Sequence, residues 1–123
     1  MITEEMAVNI GDKLRIFKAI EMGSPFPNHN TTWTEYSNTV NGYYYKSDEL
    51  HQYLTSPDGI HAVKLAMTNK SYIYHIWSTH DGVYYCEFGR RKESTQQYVA
   101  HADNEAEAVI MAAYKVLNSE EQV

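Results

Sequence analysis

With 123 residues the chain has room for one hydrophobic core and not for two. Its formal net charge of −6 argues against general binding of DNA, RNA or an anionic membrane surface, and no run approaches the ~20 apolar residues of a membrane helix. The lone Cys86 excludes an internal disulfide and, with an acidic N-terminal stretch that has no apolar core, points to expression in the cytoplasm of whatever cell makes the protein.

Residues 1–11 read as a loose end. Over 12–22, Asp12 offers a cap, Leu14, Phe17 and Ile20 share a face, and Gly23 supplies a left-handed stop, a pattern that predicts a short helix. Ser24-Pro25-Phe26-Pro27 breaks the chain. In the polar and aromatic stretch 28–50, Asn41-Gly42 predicts a hairpin pairing Thr34–Val40 with Tyr43–Lys46, with a long functional loop as the competing reading. Ser56-Pro57 then opens a helix whose stripe is Ile60, Val63 and Met67, ending at Asn69-Lys70.

The last third reads as a sheet and a helix. A two-residue Asp81-Gly82 loop pairs Thr79 with Tyr84, Trp77 with Cys86 and His75 with Phe88 on one face, leaving Tyr74, Ile76, Tyr85 and Glu87 on the other. Both faces are mostly apolar, which predicts cover on both sides. Gln97–Ala102 reads as a third strand. Asn104 with Glu107 forms a capping box for a helix whose broad face holds Ala106, Val109, Ile110, Ala113, Tyr114 and Leu117, and 118–123 reads as a second loose end. The fold class is therefore α+β, an antiparallel sheet sandwiched between α-helices in a single domain over 1–123.

No catalytic set is legible. There is no Gly-rich phosphate loop, no nucleophile elbow, no metal spacing among the six histidines and no second thiol, so the chain reads as a non-enzyme without metal or cofactor. The concentrated positive charge is Arg90-Arg91-Lys92, after Gly89; guanidinium groups grip phosphate oxygens in a fork, and Arg15 is the sole other arginine. The plainer reading of this run is a solvated loop guarding a sheet edge. Tyrosine is the compositional outlier, at eleven copies, and suits sheet faces, subunit contacts and stacking surfaces. Trp77, Tyr85, Phe88 and Tyr98 lie around the arginines in sequence or across strands and are candidates to stack a base; Phe17 joins them if its helix borders the pocket.

Several local motifs resemble the phage ABA-sandwich domain: Gly11-Asp12-Lys13-Leu14 through Met22-Gly23, Tyr53-Leu54-Thr55-Ser56, Tyr84-Tyr85-Cys86-Glu87-Phe88-Gly89, and Ala102-Asp103 leading into Ala108–Lys115. Together they touch about half the chain, and they are structural rather than chemical. In length, acidity and element order the chain is also similar to the first type of Thoeris anti-defence sponge proteins of phages. That resemblance implies a homodimer or higher homo-oligomer that binds glycocyclic ADP-ribose, the messenger of a TIR-domain enzyme, and holds it uncleaved. The resemblance assigns no ligand residue position by position; the candidates from the charge and aromatic pattern are Arg90, Arg91, Phe88, Tyr85, Trp77, Tyr98 and Phe17. Two other functions stay open: an anti-CRISPR-like acidic inhibitor that binds a protein, and an enzyme that degrades the messenger.

Overall fold

The computed structural model describes residues 2–28, 30–90 and 93–119, with the backbone alone described at 90 and at 93–98. Its first helix lies upstream of the expected one. Helix α1 spans Glu4–Lys13, capped by the Thr3 hydroxyl, which accepts from the Met6 N–H at 3.1 Å. Ala7, Ile10 and Leu14 form its buried stripe, at the 3–4 residue spacing of a helix face. Residues 1–11 are thus not a loose end. The helix stops in a Schellman turn: Ile16 N–H reaches the Gly11 carbonyl at 2.9 Å and Arg15 N–H the Asp12 carbonyl at 3.1 Å, with Arg15 left-handed at φ 57°.

The expected helix over 12–22 is therefore replaced by that turn and by strand β1, Phe17–Gly23. Gly11 lies inside α1, where a Cβ would meet Phe17 Cδ2 at 2.6 Å, so the glycine permits the strand to fold back onto the helix. β1 pairs antiparallel with β2, Thr32–Asn38, which pairs with the short β3, Tyr44–Tyr45. The anticipated hairpin about Asn41-Gly42 exists, but its register is Tyr36↔Tyr45. The turn is longer than two residues because Asn38 caps it: its N–H donates to the Tyr43 carbonyl at 2.8 Å, and its Oδ1 accepts from Val40 and Asn41 N–H at 2.8 and 3.1 Å.

A 3-10 turn at Ser47–Glu49 leads into helix α2, Leu50–Leu54, and then α3, Pro57–Asn69. The Ser56-Pro57 start is found where the sequence places it, with Ser56 Oγ accepting from Gly59 N–H at 3.1 Å. Val63 and Met67 are fully buried, and Ile60 packs against the core.

Strands β4 (Tyr72–Ser78), β5 (Tyr84–Arg90) and β6 (Glu93–Ala102) form a second antiparallel sheet in the order β4-β5-β6. Helix α4, Glu105–Ser119, lies across β5 and β6, and α3 borders β4. Asn104 Oδ1 accepts from Glu107 N–H at 2.8 Å, confirming that half of the capping box. The end of α4 is tied to α1 by reciprocal amide bonds between Asn9 and Asn118; of the expected loose end, 118 and 119 belong to α4 and 120–123 lie outside the described residues. Among the described residues the architecture is α+β, four α-helices with two three-stranded antiparallel sheets in one domain. No helix there is long and apolar enough to cross a membrane.

The β4–β5 register differs by one residue from the expected one. Trp77 pairs with Tyr85, Ile76 with Cys86 and Tyr74 with Phe88. The loop holds three residues, His80-Asp81-Gly82, closed by Thr79 N–H to the Val83 carbonyl at 2.9 Å, with Gly82 left-handed at φ 83°. This is the three-residue hairpin with a bulge glycine. Trp77 and Cys86 consequently occupy opposite faces.

Candidate functional site

The odd loop sorts the sheet into two unlike faces. Toward α3 and α4 point Tyr72, Cys86, Phe88 and Ala100, all buried, with Ile76 packed against them. Burial pushes the Cys86 thiol up to about 12, so it is an inert packing group. The other face carries Ile73, His75 and Trp77 on β4, Tyr85 and Glu87 on β5, and Val99 and His101 on β6. None of these seven is buried. Ile73 is 50% exposed and Val99 38%. Among the described residues no element supplies the expected cover on this side.

Three rings, Trp77, Tyr85 and His101, cross this open face in a row, and His75 flanks Trp77 along β4. Trp77 and Tyr85 stack at 5.3 Å between centroids with planes 5° apart. His75 lies 4.8 Å from Trp77, and Tyr85 5.8 Å from His101. Cross-strand pairing sets the row, since Trp77, Tyr85 and His101 are aligned neighbours on successive strands. In the next row Glu87 sits between His75 and Val99 by register, and beyond it Gly89 lies opposite Ile73. The platform is thus apolar and aromatic, with one carboxylate to accept hydrogen bonds and two imidazoles at its margins. It offers π-surface and an acceptor for a hydroxyl or amine, but no fixed cation among the described residues.

Of the seven candidate ligand residues, the four with described side chains do not gather at one place. Trp77 and Tyr85 do meet. Phe88 is fully buried under the helices. Phe17 is 3% exposed and packs edge-to-face against Tyr45 and Tyr53, each at 5.6 Å. These two are core residues, not stacking surfaces. Arg90 pairs through its backbone with Tyr72 and Glu93, at the far end of β5. Its backbone lies five steps along β5 from that of Tyr85, about 16 Å. Of Tyr98 only the backbone is described, pairing with Phe88; Arg91 and Lys92 lie outside the described residues.

His75 and His101 are not among the candidate ligand residues of the sequence; the alternation of His75 with Trp77 on β4 and the pairing of His101 with Tyr85 mark them as platform members. Elsewhere, two adjoining grooves of about 730 and 630 Å³ share Glu4 and Ser47 and carry Glu5, Asp12 and Asp48, with the 43%-exposed Trp33 in the second. Among the described residues no group of three or more His, Cys, Asp or Glu side chains is placed to hold a metal ion. Set against family models, curated proteins and solved structures, the chain gives no match.

Proposed function

We propose that the chain is a phage anti-defence protein that captures a cyclic ADP-ribose-type nucleotide and holds it intact, in the manner of the Thoeris anti-defence sponges its sequence resembles. The observation that carries this reading is the open aromatic platform. A sequestering protein needs tight enclosure rather than chemistry, and a flat row of rings on a sheet is a stacking surface for a base, which contributes roughly 1–3 kcal/mol per base. Glu87 would accept from a ribose hydroxyl or an exocyclic amine, and it would keep a pyrophosphate at a distance. The phosphates of a stacked ligand need cationic groups above the platform, and among the described side chains of this face none is a fixed cation. A second copy laid over the platform would supply them, and would also cover the exposed Ile73 and Val99. The active species in this reading is a homo-oligomer in the bacterial cytoplasm.

The test is to incubate the protein with lysate containing an activated TIR-domain enzyme, repurify it, denature it and weigh what is released. The intact cyclic nucleotide is the expected product. Nucleotide fragments would establish a degrading enzyme instead. Release of nothing, together with no change in messenger level, would end the proposal.

A second reading, an inhibitor that binds a basic protein surface, is favoured by the acidic grooves beside α1. Binding to such an effector would weaken steeply with salt and ignore nucleotide.

A further inference from the structure

A separate cavity of about 320 Å³ lies where the α1–β1 turn, the β2–β3 turn and α3 meet. Its apolar wall includes Leu14, Ile16, Tyr53 and Ala62, all buried, and its mouth is edged by Val40 and Leu65, 65% and 53% exposed. Arg15, His61 and Asp58 are its ionisable lining. The volume is at the lower end of small-molecule sites, and the mixture of apolar wall with a few polar groups is typical of them.

Arg15 is the residue that gives this cavity a sign. It occupies the left-handed position closing α1, φ 57°, where glycine is favoured and a long side chain is strained. Its backbone is spoken for: the N–H closes the Schellman turn, and the carbonyl accepts the Thr39 hydroxyl at 2.8 Å. Its guanidinium has no ion-pair partner among the described residues. Arg15 is the one lysine or arginine among the lining residues, and a guanidinium beside an apolar hollow matches a carboxylate carried on an apolar body. Asp58 opposes that charge and His61 adds a donor, so the affinity should respond in opposite directions to changes at Arg15 and Asp58.

We infer that this cavity binds a small organic carboxylate with an apolar ring or branched aliphatic body, Arg15 holding the carboxylate and the Leu14–Leu65 walls holding the body. This site is independent of the sheet platform and of the nucleotide reading. The probe is benzoate, titrated into the full-length protein while backbone amide resonances are followed, with benzyl alcohol and inorganic phosphate as comparison probes. Benzoate should shift the amides of Thr39, Val40, Asn41, His61 and Leu65, with benzyl alcohol at least roughly tenfold weaker and phosphate without effect there. Arg15→Gly removes the guanidinium at a position whose backbone favours glycine, so the fold is retained and the spectrum reports that directly. It should weaken benzoate roughly tenfold or more and leave benzyl alcohol unchanged, and Asp58→Asn should tighten benzoate. Equal binding of benzoate to the wild type and Arg15→Gly, shifts confined to other elements, or no shifts at about 10 mM benzoate would overturn the inference.

Discussion

Replacing Gly59 by alanine sets two effects of opposite sign against each other, and the structure decides between them. Gly59 lies in the first turn of α3, and its N–H is held by Ser56 Oγ. In an open helix the change would be stabilising, because alanine exceeds glycine by about 1 kcal/mol in helix propensity and reduces the freedom of the unfolded chain. Here the added Cβ would fall within van der Waals contact of the Tyr53 carbonyl oxygen, 2.6 Å from Tyr53 C and 2.7 Å from Leu54 Cα. All three are backbone atoms of α2, which is itself pinned by the buried Leu50 and Leu54. No rotamer change relieves the overlap, so the α2–α3 corner must open. Overpacking of this kind costs about 1–3 kcal/mol when side chains can adjust, and backbone against backbone belongs at the upper end or beyond. We expect a net loss of about 2 kcal/mol or more, read as a fall in Tm of roughly 6–10 °C for a domain of this size. Gly23→Ala is the control, since nothing lies within 4 Å of its added Cβ; it should melt within about 0.5 kcal/mol of wild type. A Gly59→Ala protein that melts with or above the parent would refute the packing of the α2–α3 corner.

Ser71, at φ 72° after α3, is a left-handed residue with a Cβ; Ser71→Gly should raise stability by about 0.5–1 kcal/mol in urea unfolding. The thiol of Cys86 should resist a disulfide reagent at pH 8 in the folded protein and react fully in denaturant. Burial raises its folded-state pKa to about 12, so its contribution to stability is complete below the ordinary thiol range and is lost as pH climbs toward that value, visible as an alkaline fall in Tm absent from Cys86→Ala. For the stacked rings, a double-mutant cycle of Trp77→Ala and Tyr85→Ala should give a coupling of about 0.5–1.5 kcal/mol; zero coupling would mean the rings do not stack in solution.

Signals that are local in the chain were legible in the sequence. Ser56-Pro57 set the start of α3, Asn104 and Glu107 marked the start of α4, and the alternating residues after Tyr72 were strands. What failed depended on contacts distant in sequence. Leu14, Phe17 and Ile20 fit a helix face, yet Leu14 closes α1 while Phe17 opens β1, and the choice is made by Tyr45 and Tyr53, which receive the Phe17 ring. The true first helix did carry its own marks, the Thr3 cap and the Ala7-Ile10-Leu14 stripe. The dispersal of the proposed ligand residues was not legible at all, because proximity of Arg90 to Phe88 in sequence says nothing about burial, and Phe88 is in the core.

The site itself turns on the parity of one loop. Asp-Gly serves a two-residue hairpin and also ends a three-residue one, so the dipeptide alone leaves the register open. The ionisable residues resolve it. In the two-residue register Glu87 would share a face with Ile76 and Tyr74, and His75 would face Phe88, placing a charge or an imidazole on each side of the sheet. With three residues, Glu87, His75 and His101 all fall on one face, while Tyr72, Ile76, Cys86, Phe88 and Ala100 fall on the other. That second face can be buried under α4 without stranding a carboxylate, and burying an unpaired carboxylate is costly enough to select the register. The same shift brings Trp77 against Tyr85, which the even register would have put on opposite faces. The constraint that makes the core dry therefore also builds the aromatic platform: the ionisable groups are expelled to the open side, and the rings of Trp77 and Tyr85 go with them.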